Sequence, residues 1–178
     1  MMTDIHIRRA ELSDIPALHH LIESAYRGDS AARGWTHESY LLGGQRTDPD
    51  SLRAIISDPD SAILIAENGT QLCGCVQISD AKAGLGYLGM LAVDPALQTA
   101  GLGKQLMVAA ETALAADYHC TRVEMTVIHV RTELIAYYER RGYAKTGETR
   151  PFPYDDERFG MPQSDNLDFV VLEKVMAG

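Results

Sequence analysis

Residues 85–116 narrow the fold more than any other part of the chain. They open with nine largely apolar residues, Leu-Gly-Tyr-Leu-Gly-Met-Leu-Ala-Val, closed at once by Asp94-Pro95, which is the pattern of a buried strand. A glycine turn follows, Gln98-Thr99-Ala100-Gly101-Leu102-Gly103-Lys104. It runs directly into a helix predicted over 103–116, with Leu106, Ala110, Ala113 and Leu114 on one face. A buried strand feeding an amphipathic helix has to pack as a layer of helix on sheet.

The flanking sequence supplies the rest of that sheet. A short strand is predicted over 5–9, followed by a helix with Ser13 as N-cap and Pro16 tolerated in its first turn. Ile15, Leu18, Leu21, Ile22 and Ala25 lie on its apolar face. A second helix starts at Pro49, carries Leu52, Ile55 and Ile56, and stops at Asp58-Pro59. Strands over 62–67 and 72–79 join at Asn68-Gly69, a hairpin signal. Asn68-Gly69-Thr70 also spells a glycosylation sequon, but the turn is the simpler use of it. A strand over 122–128, a helix over 132–141 stopped by Gly142, and strands over 143–149 and 167–174 complete the order. The Pro-rich stretch 151–162 is expected to be irregular. One α/β domain over residues 1–178 is expected.

Charge and cysteine usage remove several function classes. The 16 Lys and Arg stand against 25 Asp and Glu, a net charge of −9, and a nucleic-acid partner needs a basic face instead. No apolar run reaches membrane-spanning length, and the N-terminus lacks the basic-then-apolar order of a signal peptide, so a cytoplasmic protein without a membrane partner is expected. Cys73, Cys75 and Cys120 are too few and wrongly spaced for a zinc or redox motif. They are expected to be reduced core thiols, and no metal site is expected.

Two glycine clusters compete as ligand sites. Gly84-Leu85-Gly86-Tyr87-Leu88-Gly89 matches the dinucleotide fingerprint, but a polar segment precedes it and a strand follows it, the reverse of what that site needs. The cluster from Gln98 to Lys104 is not a P-loop, because Gln98 and Gln105 stand where Gly and Ser or Thr are required. A glycine turn at a helix N-terminus still presents unpaired amide N–H groups at the positive end of the helix dipole, a cradle for phosphate. On spacing alone, an ordinary turn before a helix is as good a reading.

Residues 88–104 resemble the first motif of the GNAT superfamily of acyl-CoA N-acyltransferases: a strand, then Gln/Arg-x-x-Gly-x-Gly/Ala, then a helix. Further on, Leu134-Ile135-Ala136-Tyr137-Tyr138-Glu139-Arg140-Arg141-Gly142-Tyr143 resembles the family's second hallmark, a helix ending in Tyr-Glu-basic-x-Gly-aromatic. The order of elements over 5–175 is similar too. The resemblance implies a seven-stranded, mixed but mostly antiparallel sheet flanked by about four helices, with two strands splayed to admit acyl-CoA. It implies transfer of an acetyl group from acetyl-CoA, as co-substrate, to a primary amine of a small molecule or peptide. A non-catalytic acyl-CoA-binding or sensor protein is the alternative on the same fold.

The resemblance also assigns roles. The backbone of Leu91, Ala92 and Val93 would hold the pantetheine arm, and Gln98, Thr99, Ala100, Gly101, Leu102, Gly103 and Lys104 would hold the pyrophosphate. Tyr138 falls on the tyrosine that protonates the departing thiolate, whereas the adjacent Tyr137 points elsewhere and is expected to pack. Many relatives carry an Asn seven residues before that tyrosine; here the position is Arg131, whose fork of donors could meet a phosphate or a pantetheine oxygen. For the general base, Glu124 and His129 are the candidates, although an exposed strand glutamate and a turn histidine are the simpler expectations. The acceptor walls would come from residues 26–40, which include the only tryptophan, Trp35, and from 152–162 with Asp155-Asp156-Glu157. An acidic loop there would favour a cationic amine. A homodimer is common among relatives.

Overall fold

The computed structural model describes residues 5–26, 42–43, 48–94, 101–151, 161–162 and 168–176. Its main sheet has seven strands: β1 (Ile5–Arg9), β3 (Ser61–Asn68), β4 (Gln71–Asp80), β5 (Leu85–Val93), β6 (Arg122–Ile128), β9 (Phe169–Val175) and β7 (Ala144–Arg150), in that spatial order. Every neighbouring pair is antiparallel except β5 with β6. A second, two-stranded sheet joins β2 (Leu42–Gly43) to β8 (Met161–Pro162), so the stretch expected to be irregular before β9 contains a short strand.

Four α-helices cover the sheet: α1 (Ile15–Tyr26), α2 (Pro49–Ser57), α3 (Leu102–Tyr118) and α4 (Thr132–Glu139). The apolar periodicity of each sequence segment decides which face it covers. Leu102, Leu106, Met107, Ala110 and Leu114 of α3, with Ile135 and Tyr138 of α4, pack on Val76, Ile78, Leu88, Val123, Met125 and Leu172. On the opposite face, Ile15, Leu18, Leu21, Ile22 and Ala25 of α1 and Leu52 of α2 pack on Ile63, Ile65, Cys75 and Ala92. No described helix is long and apolar enough to cross a membrane. All three cysteines are buried, and none is in a disulfide.

Three expectations need correction in detail. Ser13 is not an N-cap: residues Leu12–Asp14 form a 3₁₀ turn that leads without a break into α1, and Asp14 is the capping side chain, accepting from the Glu11 N–H at 2.7 Å. The β3–β4 hairpin turns one residue later than expected, because Asn68 pairs with Gln71 and leaves Gly69 and Thr70 as the loop. Gly69 has φ +66°, the left-handed conformation that a two-residue hairpin demands at its first central position. Helix α4 ends at Glu139, two residues short of the expected end, and Gly142 then takes the left-handed conformation at φ +98°.

Asp14 also joins the first strand to the first helix. Its two oxygens accept from Arg8 at 2.9 and 3.0 Å, and Arg8 Nε donates to Glu67 on β3 at 2.9 Å. The hydrogen bonds from Arg8 outweigh partial burial and hold the Asp14 carboxyl below its ordinary pKa. A carboxylate whose folded pKa is lowered stabilises the protein above its unfolded pKa, and that stability is lost as pH falls through the folded value. Asp14→Asn is therefore expected to cost about 1 kcal/mol at pH 7, the upper end for a partly exposed ion pair, with the difference shrinking as pH falls below the ordinary aspartate range. Urea denaturation of both proteins across that range checks it.

Candidate active site

The site is made by the one parallel pair in the sheet. Strands β5 and β6 are in register over only three residue pairs, ending at Tyr87 with Glu124. Beyond that point β5 carries a bulge: its register with β4 shifts between Cys75 and Gln77, and Met90 opposite that shift takes φ +49°. A bulge bends a strand and strengthens its twist, which turns the end of β5 away from β6. A non-glycine residue held at positive φ is strained, and such strain is characteristic of functional sites.

A cavity of about 360 Å³ occupies the opening. Its walls come from both faces of the sheet. Leu88, Leu91, Met125 and Val127 belong to the core beneath α3 and α4, and Leu134 and Tyr138 reach in from α4. Gln77, Tyr87, Gly89 and Thr126 also line it, and the alternation of side chains along each strand puts them on the α1 face. One cavity thus passes through the sheet. Two reactants can enter from opposite sides and meet inside.

Tyr138 is 6% exposed and lines the cavity. Its ring is braced edge-on by Tyr137, with centroids 5.5 Å apart, and by Tyr143 at 6.4 Å. Tyr143 is itself fixed: its hydroxyl donates to Glu111 of α3 at 2.9 Å, and Lys174 of β9 donates to the other Glu111 oxygen at 2.9 Å. Burial, then the neighbouring Glu111 charge, push the Tyr143 phenol well above its ordinary pKa, so it stays protonated and keeps that bond. This brace was missed from sequence, where Glu111 is one more polar residue on a helix. Tyr137 packs as expected, under the Arg141 guanidinium at 3.9 Å.

Leu91, Ala92 and Val93 lie on β5 past the last pair with β6, at the open end of the gap. Gly101 begins α3 with φ +76°, a conformation that glycine alone takes cheaply, and open space lies where a side chain would project. The first i→i−4 bond of the helix runs from Gln105 N–H to Gly101 O, so the amides of Leu102, Gly103 and Lys104 stand at its N-terminal end without an intrahelical acceptor. Leu102 and Gly103 are buried and Lys104 is exposed. Gln98, Thr99 and Ala100 lie outside the described residues. Arg131 occupies the N-cap position of α4, is buried, and lines the cavity together with Tyr138.

The base candidates fare differently from expectation. Glu124 is not an exposed strand residue: it is 7% exposed and its carboxylate accepts from Arg150 of β7 at 2.7 Å. Arg150 also donates to Glu148 at 2.8 Å, and the two carboxylates raise its pKa further above the ordinary arginine value. Glu124 is thus committed to a half-buried ion pair and stands one alternation below Thr126, outside the cavity lining. His129 follows β6, where its N–H donates to Asp168 O at 2.9 Å, and it too is outside that lining. Trp35 and Asp155, Asp156 and Glu157 lie outside the described residues. The pairing of β2 with β8 ties the end of the second segment expected to supply acceptor walls, at Met161–Pro162, to Leu42–Gly43, which lies just beyond the first.

Comparison with known proteins agrees with this geometry. The fold matches a ribosomal-protein-S18-alanine N-acetyltransferase from Escherichia coli with a TM-score of 0.70 at 17% identity, over 98% of this chain and 97% of that one. It matches a ribosomal-protein-alanine N-acetyltransferase from Brucella melitensis with a TM-score of 0.71 at 16% identity, over 96% and 99%. A putative acetyltransferase from Salmonella typhimurium, solved with its cofactor acetyl-CoA, gives 0.71 at 16% identity, over 99% and 96%. At these identities the likeness shows the fold alone. A search of curated proteins finds no match. The sequence itself matches the acetyltransferase (GNAT) family over residues 17–143, most of its length, and the chain belongs to that family.

Proposed function

We propose that this protein transfers an acetyl group from acetyl-CoA to a primary amine of a small molecule or peptide. The observation that carries the reading is the cavity through the sheet between β5 and β6, with Tyr138 buried on one side and polar side chains on the other. The donor set suits a coenzyme that combines a diphosphate, an amide-bearing arm and a thioester. The Gly101–Lys104 amides suit the diphosphate, and Gln98, Thr99 and Ala100, which precede them in sequence, are proposed to share that role. The backbone of Leu91, Ala92 and Val93 suits the amides of the arm, and the Arg131 guanidinium suits a phosphate or carbonyl oxygen near the mouth.

The chemistry needed from the chain is modest. The amine nitrogen forms a bond to the thioester carbon and the carbon–sulfur bond breaks. Tyr138 gives its hydroxyl proton to the departing sulfur, and the proton released by the amine restores the phenol. A phenol of ordinary pKa near 10 is protonated at neutral pH. Passing its proton to a thiolate whose thiol has a pKa near 8.5 is uphill by about 1.5 pK units, which the strongly acidic N–H of the attacking amine offsets by returning a proton to the phenolate. The bracing by Tyr137 and Tyr143 holds the ring in one orientation.

Isothermal titration with acetyl-CoA, with free CoA and NAD as controls, tests the binding half of the proposal. Micromolar binding of acetyl-CoA without binding of NAD is the expected result. CoA release with a panel of primary amines then tests transfer. Tight acetyl-CoA binding with no release from any amine would support the non-catalytic sensor instead.

A further inference from the structure

We infer that Tyr87 forms the inner neck of the acceptor path and selects for a primary amine on a slender chain, unbranched for the first two atoms from nitrogen. The inference rests on the proposed acetyl transfer and adds the shape of the acceptor to it. Tyr87 stands at the vertex of the opening, in the last residue pair before β5 and β6 part. Its ring does not project freely. It folds along β5 over Gly89, where a Cβ would come within 2.7 Å of the Tyr87 ring carbon Cε1 and 3.1 Å of its hydroxyl. The hydroxyl then reaches Thr126 Oγ1 on the other strand at 3.4 Å. The side chain therefore crosses the opening from β5 to β6 on the α1 face, with Gln77 beside it on the cavity wall.

Leu88 and Tyr138 line the same cavity from the opposite face. A nucleophile coming from the α1 side to a thioester near Tyr138 must pass Tyr87. The Tyr87 and Thr126 hydroxyls are two neutral oxygens that can exchange their mutual long contact for hydrogen bonds from the N–H groups of an amine. The ring lying over Gly89 sets the width. A branch one or two atoms from the nitrogen would meet that ring.

The test uses two neutral nucleophiles that require no deprotonating residue: hydroxylamine, and the bulky O-tert-butylhydroxylamine. Each forms a carbon–nitrogen bond to the acetyl carbon as the carbon–sulfur bond breaks and the sulfur takes a proton, giving an acetohydroxamate and CoA thiol. Rates are measured with enzyme in excess over acetyl-CoA and compared with free acetyl-CoA, whose ratio for the two reagents defines intrinsic reactivity. Wild type is expected to discriminate against the bulky reagent by about tenfold beyond that ratio, the low end of steric selection in an enzyme pocket. Tyr87→Ala is expected to return to the intrinsic ratio while still binding acetyl-CoA by titration. Tyr87→Phe keeps the ring and should keep the discrimination, but loses the hydroxyl and should raise the half-saturating hydroxylamine concentration. Gly89→Ala, which displaces the ring without removing it, should change the ratio even if Tyr87→Ala does not fold. An unchanged ratio in a Tyr87→Ala or Gly89→Ala protein that still binds acetyl-CoA would overturn the neck. Failure of wild type to bind acetyl-CoA would instead overturn the proposed function, and the neck with it.

Discussion

Tyr138→Phe is expected to lower kcat by about 10²-fold, the lower end of what a positioned proton donor contributes, while the Kd for acetyl-CoA stays near the wild-type value. The split follows from the geometry. Only the hydroxyl is removed, and the ring that Tyr137 and Tyr143 brace keeps its contacts, so the cavity keeps its shape. Thiolate departure then has to draw its proton from water. Tyr137→Phe serves as the control, because its ring packs beneath Arg141 and the variant should turn over normally. Stopped-time CoA release and isothermal titration give the two quantities. A Tyr138→Phe enzyme with unaltered kcat would remove Tyr138 from the chemistry.

The second large effect concerns how α3 is seated. Leu106 is fully buried, and Leu106→Ala is expected to cost about 2–5 kcal/mol through lost burial and the cavity left behind. Gly74 of β4 lies directly beneath it: a Cβ there would be 2.8 Å from Leu106 Cδ1 and 3.1 Å from the Ala92 carbonyl oxygen. Gly74→Ala alone is therefore expected to cost about 1–3 kcal/mol by overpacking. Combined, the two changes should cost less than their sum by about 1 kcal/mol or more, since truncating Leu106 removes the atom that the new methyl meets. Urea melts of the four proteins in the cycle give the coupling. Simple additivity would show that the added methyl is resisted by the Ala92 carbonyl of β5 and not by Leu106.

Most of this architecture can be read in the chain because the relevant signals are local. The alternation and apolar runs of β3, β4 and β5, the periodicity of α1 and α3, and the punctuation at Asp58-Pro59 and Gly142 depend on neighbours a few residues away. The first-motif candidates and Tyr138 come from the family positions they resemble, and of these Tyr138 and Leu91 line the cavity. What escaped is what depends on distant partners. Asp14 takes over the cap because Arg8, on the preceding strand, and the Glu11 amide converge on its carboxylate, and nothing at Ser13 announces this. Glu124 looked like an ordinary strand residue until β7 brought Arg150 against it across β9. The role of Tyr87 depends on where the β5–β6 pairing ends, which no single segment encodes.

The small sheet of Leu42–Gly43 with Met161–Pro162 has a consequence for how such a protein can change its acceptor. It fastens the chain that leaves α1 to the chain that enters β9, although more than a hundred residues separate them in sequence. A change in where either connection meets this clasp therefore bears on the other as well. The two connections are in that sense a single inherited trait. Grafting one of them from a relative should fail where transplanting the pair succeeds.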